Sequence, residues 1–372
     1  MPAALNDIFK IIESLAPPAM AESWDNIGLM LGDPNAVTDK AILTLDVNMD
    51  VAQESKARGA GLIFSHHPLF IKPVKNIRLD SPGGKLIAFL IKNDIAIYTA
   101  HTNLDIVAGG VNDALAKKMG LTGLNVLNVT GGERFVKLVV FVPASHAGIV
   151  RDAVCAAGAG WIGNYSHCTF QTGGMGTFLP LDGTKPFAGS RGEMSFVEEM
   201  RLETIVPSVR ADAVVQSMLE AHPYEEVAYD LYPLENTGPP YGLGRVGDLP
   251  GAVSLGEFAG MVKEALGLKD VRLGGALHET VRRIAVCGGS GAELYTGALA
   301  AGADVLVTGD VKYHVAQEML SAGLKFIDAG HGGTERIVLP VLRDYLQEMC
   351  ANRALKVEFL LAETATDPFK YF

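Results

Sequence analysis

His66 and His67 stand side by side at the end of the run Leu62-Ile63-Phe64-Ser65, with Pro68 directly after them. Imidazole is the commonest metal-binding side chain at neutral pH. Successive side chains of a strand point to opposite faces, so adjacent histidines serve one site only where the strand is ending. The apolar lead supplies that strand, and Pro68 holds His67 in the extended region. Two readings stay open for the pair: metal ligands, or strand-end histidines held by hydrogen bonds. Asp105 closes the run Ala100-His101-Thr102-Asn103-Leu104-Asp105, where a helix N-cap is its other role. His331 and Glu335 are spaced i, i+4 in His331-Gly332-Gly333-Thr334-Glu335, and such residues share one face of a helical turn. That segment also reads as a capping arrangement at a helix entry.

The force of these residues lies in their concurrence at strand ends. Three imidazoles and two carboxylates exceed the needs of one tetrahedral ion. They suit two divalent ions bridged by a carboxylate, about 3.5–4 Å apart. No thiol lies among them, which allows Zn, Mn, Fe or Ni and disfavours a closed structural zinc site. His101 has three open roles: ligand, partner to a ligand, or substrate contact. The last two are preferred, with proton transfer in view. Asp310 and His314 sit at a further strand end, either as a helix cap and a helix histidine or as cleft residues. Gly288-Gly289-Ser290-Gly291 could hold a phosphate on backbone amides, but it lacks a P-loop ending, and a tight strand-to-helix turn suits it better. His146, His167, His222 and His278 fall outside the pattern.

The elements that must carry these residues alternate strand and helix, which argues for an α/β layer with a mainly parallel sheet. The outer parts of the chain look like two copies of one unit. AILTLD at 41–46 aligns with RIAVCG at 283–288. GLIFSHH at 61–67 aligns with DVLVTGD at 304–310, and IAIYTAHTNLD at 95–105 with LKFIDAGHGGTE at 324–335. Functional side chains gather at the carboxyl ends of such strands, so two similar halves would face one cleft. Between them the order changes to β-α-β-β-α-β, a self-contained ferredoxin-like pattern. Its strands are expected at Val136–Val142, Tyr165–Phe170, Arg201–Val206 and Val227–Tyr232, with a glycine-rich loop after Phe170. The domains are therefore a discontinuous core, 1–133 and 237–372, and an insert, 134–236.

Bulk properties narrow the function class. The chain has 372 residues, 48% hydrophobic and 20% charged, consistent with a soluble, well-packed protein. A net charge of −11 argues against a protein that coats nucleic acid. Four cysteines far apart give no CxxC pair, which fits a reducing cytoplasm. The N-terminal segment has the spacing of an amphipathic helix, lacks the pattern of a signal peptide, and no run of about 18 uncharged apolar residues suggests a membrane span.

The residues quoted above resemble the NIF three-like family, also called GTP cyclohydrolase 1 type 2 homologues. SHHPLF, AHTNLD followed by GGVNDALA, PYGLGRVG, VTGDVKYH and GHGGTE match its motifs in order along the whole chain. The resemblance implies a dinuclear metal centre in an α/β core, with His66, His67, Asp105, His331 and Glu335 as ligands. It also implies a toroidal homohexamer. HPYEEVAYDLYPL at 222–234 is similar to the PII- and CutA-like insert of longer bacterial members, a module that could bind an effector or partner. Gly332 departs from the family, where an aromatic often follows the histidine; the departure bears on the pocket wall. The expected activity is metal-dependent hydrolysis of a nucleotide or phosphorylated small molecule, with His101 or His314 moving protons. The alternative is a non-catalytic metal-binding regulatory scaffold or a metal chaperone.

Overall fold

The apolar runs form two sets of parallel strands. A computed structural model describes residues 2–370. Two compact units emerge, one from Met1–Thr130 with Tyr241–Phe372, the other from Gly131–Pro240. In the first unit, Glu358–Leu361, Lys40–Thr44, Leu62–Ser65 and Ala96–Thr99 lie parallel in that order, and Gly28–Leu31 adds an antiparallel edge. Thr44 is level with Ser65, and Ser65 with Thr99. This register brings Asp46, His66, His67 and His101 to one carboxyl edge.

The second set repeats the arrangement. Thr280–Val286, Val305–Thr308 and Lys325–Asp328 are parallel neighbours. Arg272–Gly274 flanks them antiparallel on one side, and the segment from Arg245 to Asp248 on the other. A five-residue helix follows the third strand in each set: Thr102–Ile106 and His331–Glu335. Helix Leu5–Leu15 buries Leu5, Ile8, Phe9 and Ile12 with Leu342 and Leu346 of helix Val338–Asn352 against the first sheet. Each such side chain taken from water contributes about 1.5–3 kcal/mol. Helix Leu255–Leu266, started by a Ser254–Glu257 capping box, packs Phe258 and Val262 on the second sheet. The class is α/β with parallel and antiparallel pairing.

In the unit Gly131–Pro240, Ser195–Pro207 lies between the segment Phe135–Pro143 and Thr169–Phe178, antiparallel to both. Helices Ala147–Ala156 and Ala211–Ala221 cover one face, with Val150, Val154, Val214 and Met218 buried among Leu138, Val140 and Leu202.

Several elements differ from the sequence reading. The strand expected at Tyr165–Phe170 instead runs from Thr169 to Phe178, through the glycines expected to form a loop. At Gly176 an added Cβ would lie 2.1 Å from Glu199 Oε2, so a larger residue would displace that carboxylate. Gly28–Leu31 falls in a segment read as turns; all four of its residues are half-buried, so no alternation marks it. Glu358–Leu361 is too short to show a period. No helix among the described residues is long and apolar enough to cross a membrane.

Candidate metal centre

His66 leaves its strand fully buried, with Nδ1 3.0 Å from the carbonyl oxygen of Ala100. A carbonyl only accepts, so Nδ1 carries the proton and Nε2 presents a bare lone pair. That Nε2 lies 3.5 Å from Asp105 Oδ1 and 3.8 Å from Glu335 Oε1. His67 donates from Nδ1 to Asp46 at 2.7 Å, and its Nε2 is 3.0 Å from Glu335 Oε2 and 3.3 Å from His331 Nε2. His331 donates from Nδ1 to Asp310 at 2.7 Å, with Nε2 3.2 Å from Glu335 Oε1. His101 repeats the device. Its Nδ1 donates to Asp25 at 2.9 Å, and Asp25 also accepts the Thr102 amide and hydroxyl. The His101 ring stands 5.2 Å from that of His66 and 5.6 Å from that of His67.

Two groups of side chains bring ligand atoms within 4.8 Å of one another: His66, His67 and His101, and His67, His331 and Glu335. Each imidazole has its outer nitrogen tied to an oxygen, the arrangement that orients metal-binding histidines. Among the described residues, His66 Nε2 and Asp105 Oδ1 are the buried side-chain polar atoms without a hydrogen-bond partner. Two acceptors facing each other in a buried site repel unless positive charge lies between them. A divalent cation satisfies both, and the nitrogen and carboxylate donors suit one. Cys287 adds no thiolate, because burial, then Asp105 and Glu335, push its thiol up.

The same crowding shifts the titrations. Burial drives the Asp105 carboxyl up to about 6. Burial would also raise Glu335, but hydrogen bonds from His331 and His67 hold it well below the carboxylate range. Burial opposes charge on His67, yet Asp46 and Glu335 outweigh it and lift it to about 10. Hydrogen bonding to Glu335 lifts His331 to about 9 against its burial. These folded values exceed the ordinary imidazole value of 6.5. Their contribution to stability is therefore complete below about pH 6.5 and lost as pH rises through 9 and 10. Metal-free protein should melt at falling temperature from pH 7 to 10, and metal addition near pH 8 should release protons. Calorimetry in buffers of different ionisation enthalpy measures that release; a buffer-independent heat would contradict it.

Neighbouring residues fix the segments that carry Asp105 and Glu335. Asn112 donates to the carbonyl of Asp105 at 2.9 Å and accepts from the amide of Gly288 at 2.9 Å. The Gly288–Gly291 turn spends its amides internally: Gly289 on Thr334 and Gly291 on Thr308. The phosphate-holding reading is thereby displaced. Glycine serves instead because an added Cβ at Gly289 would lie 2.2 Å from Glu335 Oε1, at φ +64. The centre opens into a cleft of about 1970 Å³ that Trp24, His101 and Asp310 help to line. Beside Gly332 the room is bounded by Leu45 and Asp367.

His66, His67, Asp105, His331 and Glu335 thus come together, and His101 joins them. His314 does not; it is exposed on helix Tyr313–Ser321 and does not line the cleft. Asp25 and Asp46 escaped the sequence reading. Asp46 lies two residues past Thr44 as His67 lies two past Ser65 on the neighbouring strand, the one signal that could have found it. Because Asp46 aims His67, Asp46→Ala should weaken metal binding by about 10–100-fold. Competition with a chelator measures this, and an unchanged affinity would make Asp46 a bystander.

Fold and site together define an α/β protein with a buried histidine–carboxylate group that could hold a metal ion. The chain belongs to the NIF3 family: residues 3–368 match its model, Duf34/NIF3 (NGG1p interacting factor 3). It is 43% identical over 364 residues to a protein of Halalkalibacterium halodurans named GTP cyclohydrolase 1 type 2 homolog, covering 98% of each chain. A Bacillus subtilis protein of the same name is also 43% identical, over 98% of this chain and 97% of its own. The crystal structure of a Bacillus cereus protein related to NIF3 superposes with a TM-score of 0.90 at 44% identity, over 100% of both chains.

Proposed function

We propose that this protein holds two divalent metal ions and uses them to hydrolyse a nucleotide or other phosphorylated small molecule. One observation supports this above the rest. Four imidazoles, each pinned at Nδ1, turn toward two carboxylates, and two buried acceptors among them lack a partner. We assign His66, His67, Asp105, His331 and Glu335 as ligands. Glu335 Oε1 and Oε2 lie near different histidines, which suits a carboxylate that bridges. His101 is read as a further donor, because its ring stands among those of His66 and His67. This replaces the role of proton carrier expected from sequence, and His314 is given no role.

Divalent ions bound here would supply Lewis acidity and a water of lowered pKa. The chain's own part is to hold the ligands rigid. Asp25, Asp46 and Asp310 orient imidazoles, and Asn112 and Gly289 pack against the carboxylate-bearing segments. The name carried by the relatives makes GTP the first substrate to test. Metal-loaded protein should turn over at least one of a set of nucleotides and phosphomonoesters, and His67→Ala should abolish it. Absence of turnover with Zn, Mn, Fe and Ni would sink the hydrolase reading and favour a metal-binding scaffold or chaperone.

We also read the unit Gly131–Pro240 as a ferredoxin-like, PII/CutA-like insert, from its β-α-β-β-α-β order and antiparallel pairing. A cytoplasmic homohexamer is proposed from the family resemblance. Light scattering of the purified chain tests it, and a monomeric mass would overturn it.

A further inference from the structure

The unit Gly131–Pro240 carries a cavity of its own, of about 710 Å³, lined wholly by its residues. We propose that this cavity binds a small organic ammonium ion with an apolar or aromatic body. The argument starts from the pleat. Along Ser195–Pro207, Leu202 and Val206 point into the helix-covered core, so Glu199 and Arg201 point to the opposite face. Phe141 is level with Arg201, and Gly174 with Glu199. On this face the sheet is floored by glycine. An added Cβ at Gly174 meets nothing within 4 Å, and one at Gly176 would strike the Glu199 carboxylate. The absence of side chains there keeps the hollow open and leaves Glu199 looking across it.

The walls are aromatic. Tyr224 stands between Phe178 and Phe187, with ring centroids 6.0 Å from each. Its hydroxyl donates to Glu199 Oε1 at 2.8 Å, which leaves Oε2 as the acceptor turned toward Gly176. Glu199 itself is only 9% exposed. Oε2 makes no hydrogen bond among the described residues and opens to the cavity, and a cation is the partner that gains most from pairing with it. Charge in the cavity points the same way. Glu199, Glu225 and Glu226 line it against a single guanidinium, Arg201, whose Nε is engaged by Glu203 at 2.9 Å. Carboxylates disfavour an anionic ligand, and a neutral apolar one would strip water from Glu199 without replacing it. Aromatic faces around a carboxylate attract ammonium groups through both the ring quadrupole and the charge.

The test uses the full-length chain and three matched probes: 2-phenylethylammonium, 2-phenylethanol and 3-phenylpropionate. Binding is read by titration calorimetry and ligand-observed NMR. The ammonium ion is expected to bind, and the alcohol and the carboxylate to bind more weakly by about tenfold or more. Glu199→Gln should weaken the ammonium ion by about tenfold or more and bring it level with the alcohol. Since that change also touches Tyr224, Gly174→Leu is the second variant. An added Cβ there meets nothing within 4 Å, so the leucine extends into the hollow and should remove binding while leaving the melting temperature and the metal content of the chain unchanged. The proposal is overturned if the ammonium ion does not bind at about 10 mM, or if the alcohol or carboxylate binds as well. It is overturned equally if either variant binds like the parent.

Discussion

His66→Ala is expected to lower the metal content of the purified protein from about two ions per chain to about one or none. The side chain is fully buried, and its Nε2 faces Asp105 and Glu335 across 3.5 and 3.8 Å. Truncating it removes a nitrogen donor that no water-exposed group can replace. The affinity lost should exceed the about 10–100-fold typical of outer partners such as Asp46. Folding is a separate quantity. A large-to-small change in a core costs about 2–5 kcal/mol. Against that, the variant relieves the contact between His66 Nε2 and Asp105 Oδ1, both without hydrogen-bond partners. The metal-free variant should therefore melt cooperatively, near the metal-free parent, while the metal-loaded parent stands well above both. Elemental analysis and thermal melts with and without a chelator read the two effects apart. Full metal content in His66→Ala would remove this histidine from the centre.

The second large effect lies outside the candidate metal centre. Arg245 is 4% exposed. Its guanidinium pairs with Asp113 and donates to the carbonyls of Gly242, Gly244, Ile106 and Val107. Ile106 and Val107 directly follow Asp105, so Arg245 ties down the end of the helix that carries it. Breaking a buried pair by removing one partner costs about 3–5 kcal/mol, because the other charge is left uncompensated. Asp113 also accepts from the amide of Gly109 at 2.6 Å and is 15% exposed at its side chain. The lower end of that range, about 3 kcal/mol, is expected for Arg245→Met. Adding Asp113→Leu should restore part of the loss if the orphaned charge is its cause. Denaturant unfolding of the single and double variants measures this. A loss below about 1 kcal/mol would mean that the pair behaves as a surface salt bridge.

How much was legible in the sequence depended on distance along the chain. His66-His67 and the His331–Glu335 spacing carry their chemistry in adjacent letters, and the parallel strands that aim them are plain apolar runs. The α/β class follows from the same runs. What stayed hidden is set by contacts between remote residues. Asp25 reaches His101, and Asp46 reaches His67, only once Thr44, Ser65 and Thr99 are in register. A lone aspartate after a strand is too common to declare such a role. For the same reason the sequence leaves the role of His101 open among ligand, partner to a ligand and substrate contact. The repeat already pairs its spacing to Asp105 with that of His331 to Glu335, and the structure puts its ring beside two of the other histidines. Gly289 was visible as a turn residue, but its reason, the approach of Glu335 Oε1, is a tertiary fact. The strand through Gly173, Gly174 and Gly176 was read as loop because glycine is depleted in strands. Here Gly176 leaves room for the Glu199 carboxylate.

The most direct test of the proposed dinuclear centre is anomalous diffraction at the Zn, Mn, Fe and Ni edges, from protein purified without chelators. The expected result is two peaks about 3.5–4 Å apart, one beside His66 and Asp105 and the other beside His67 and His331, with Glu335 reaching both. A single peak, or metal bound elsewhere on the chain while these side chains keep their direct contacts, would contradict it.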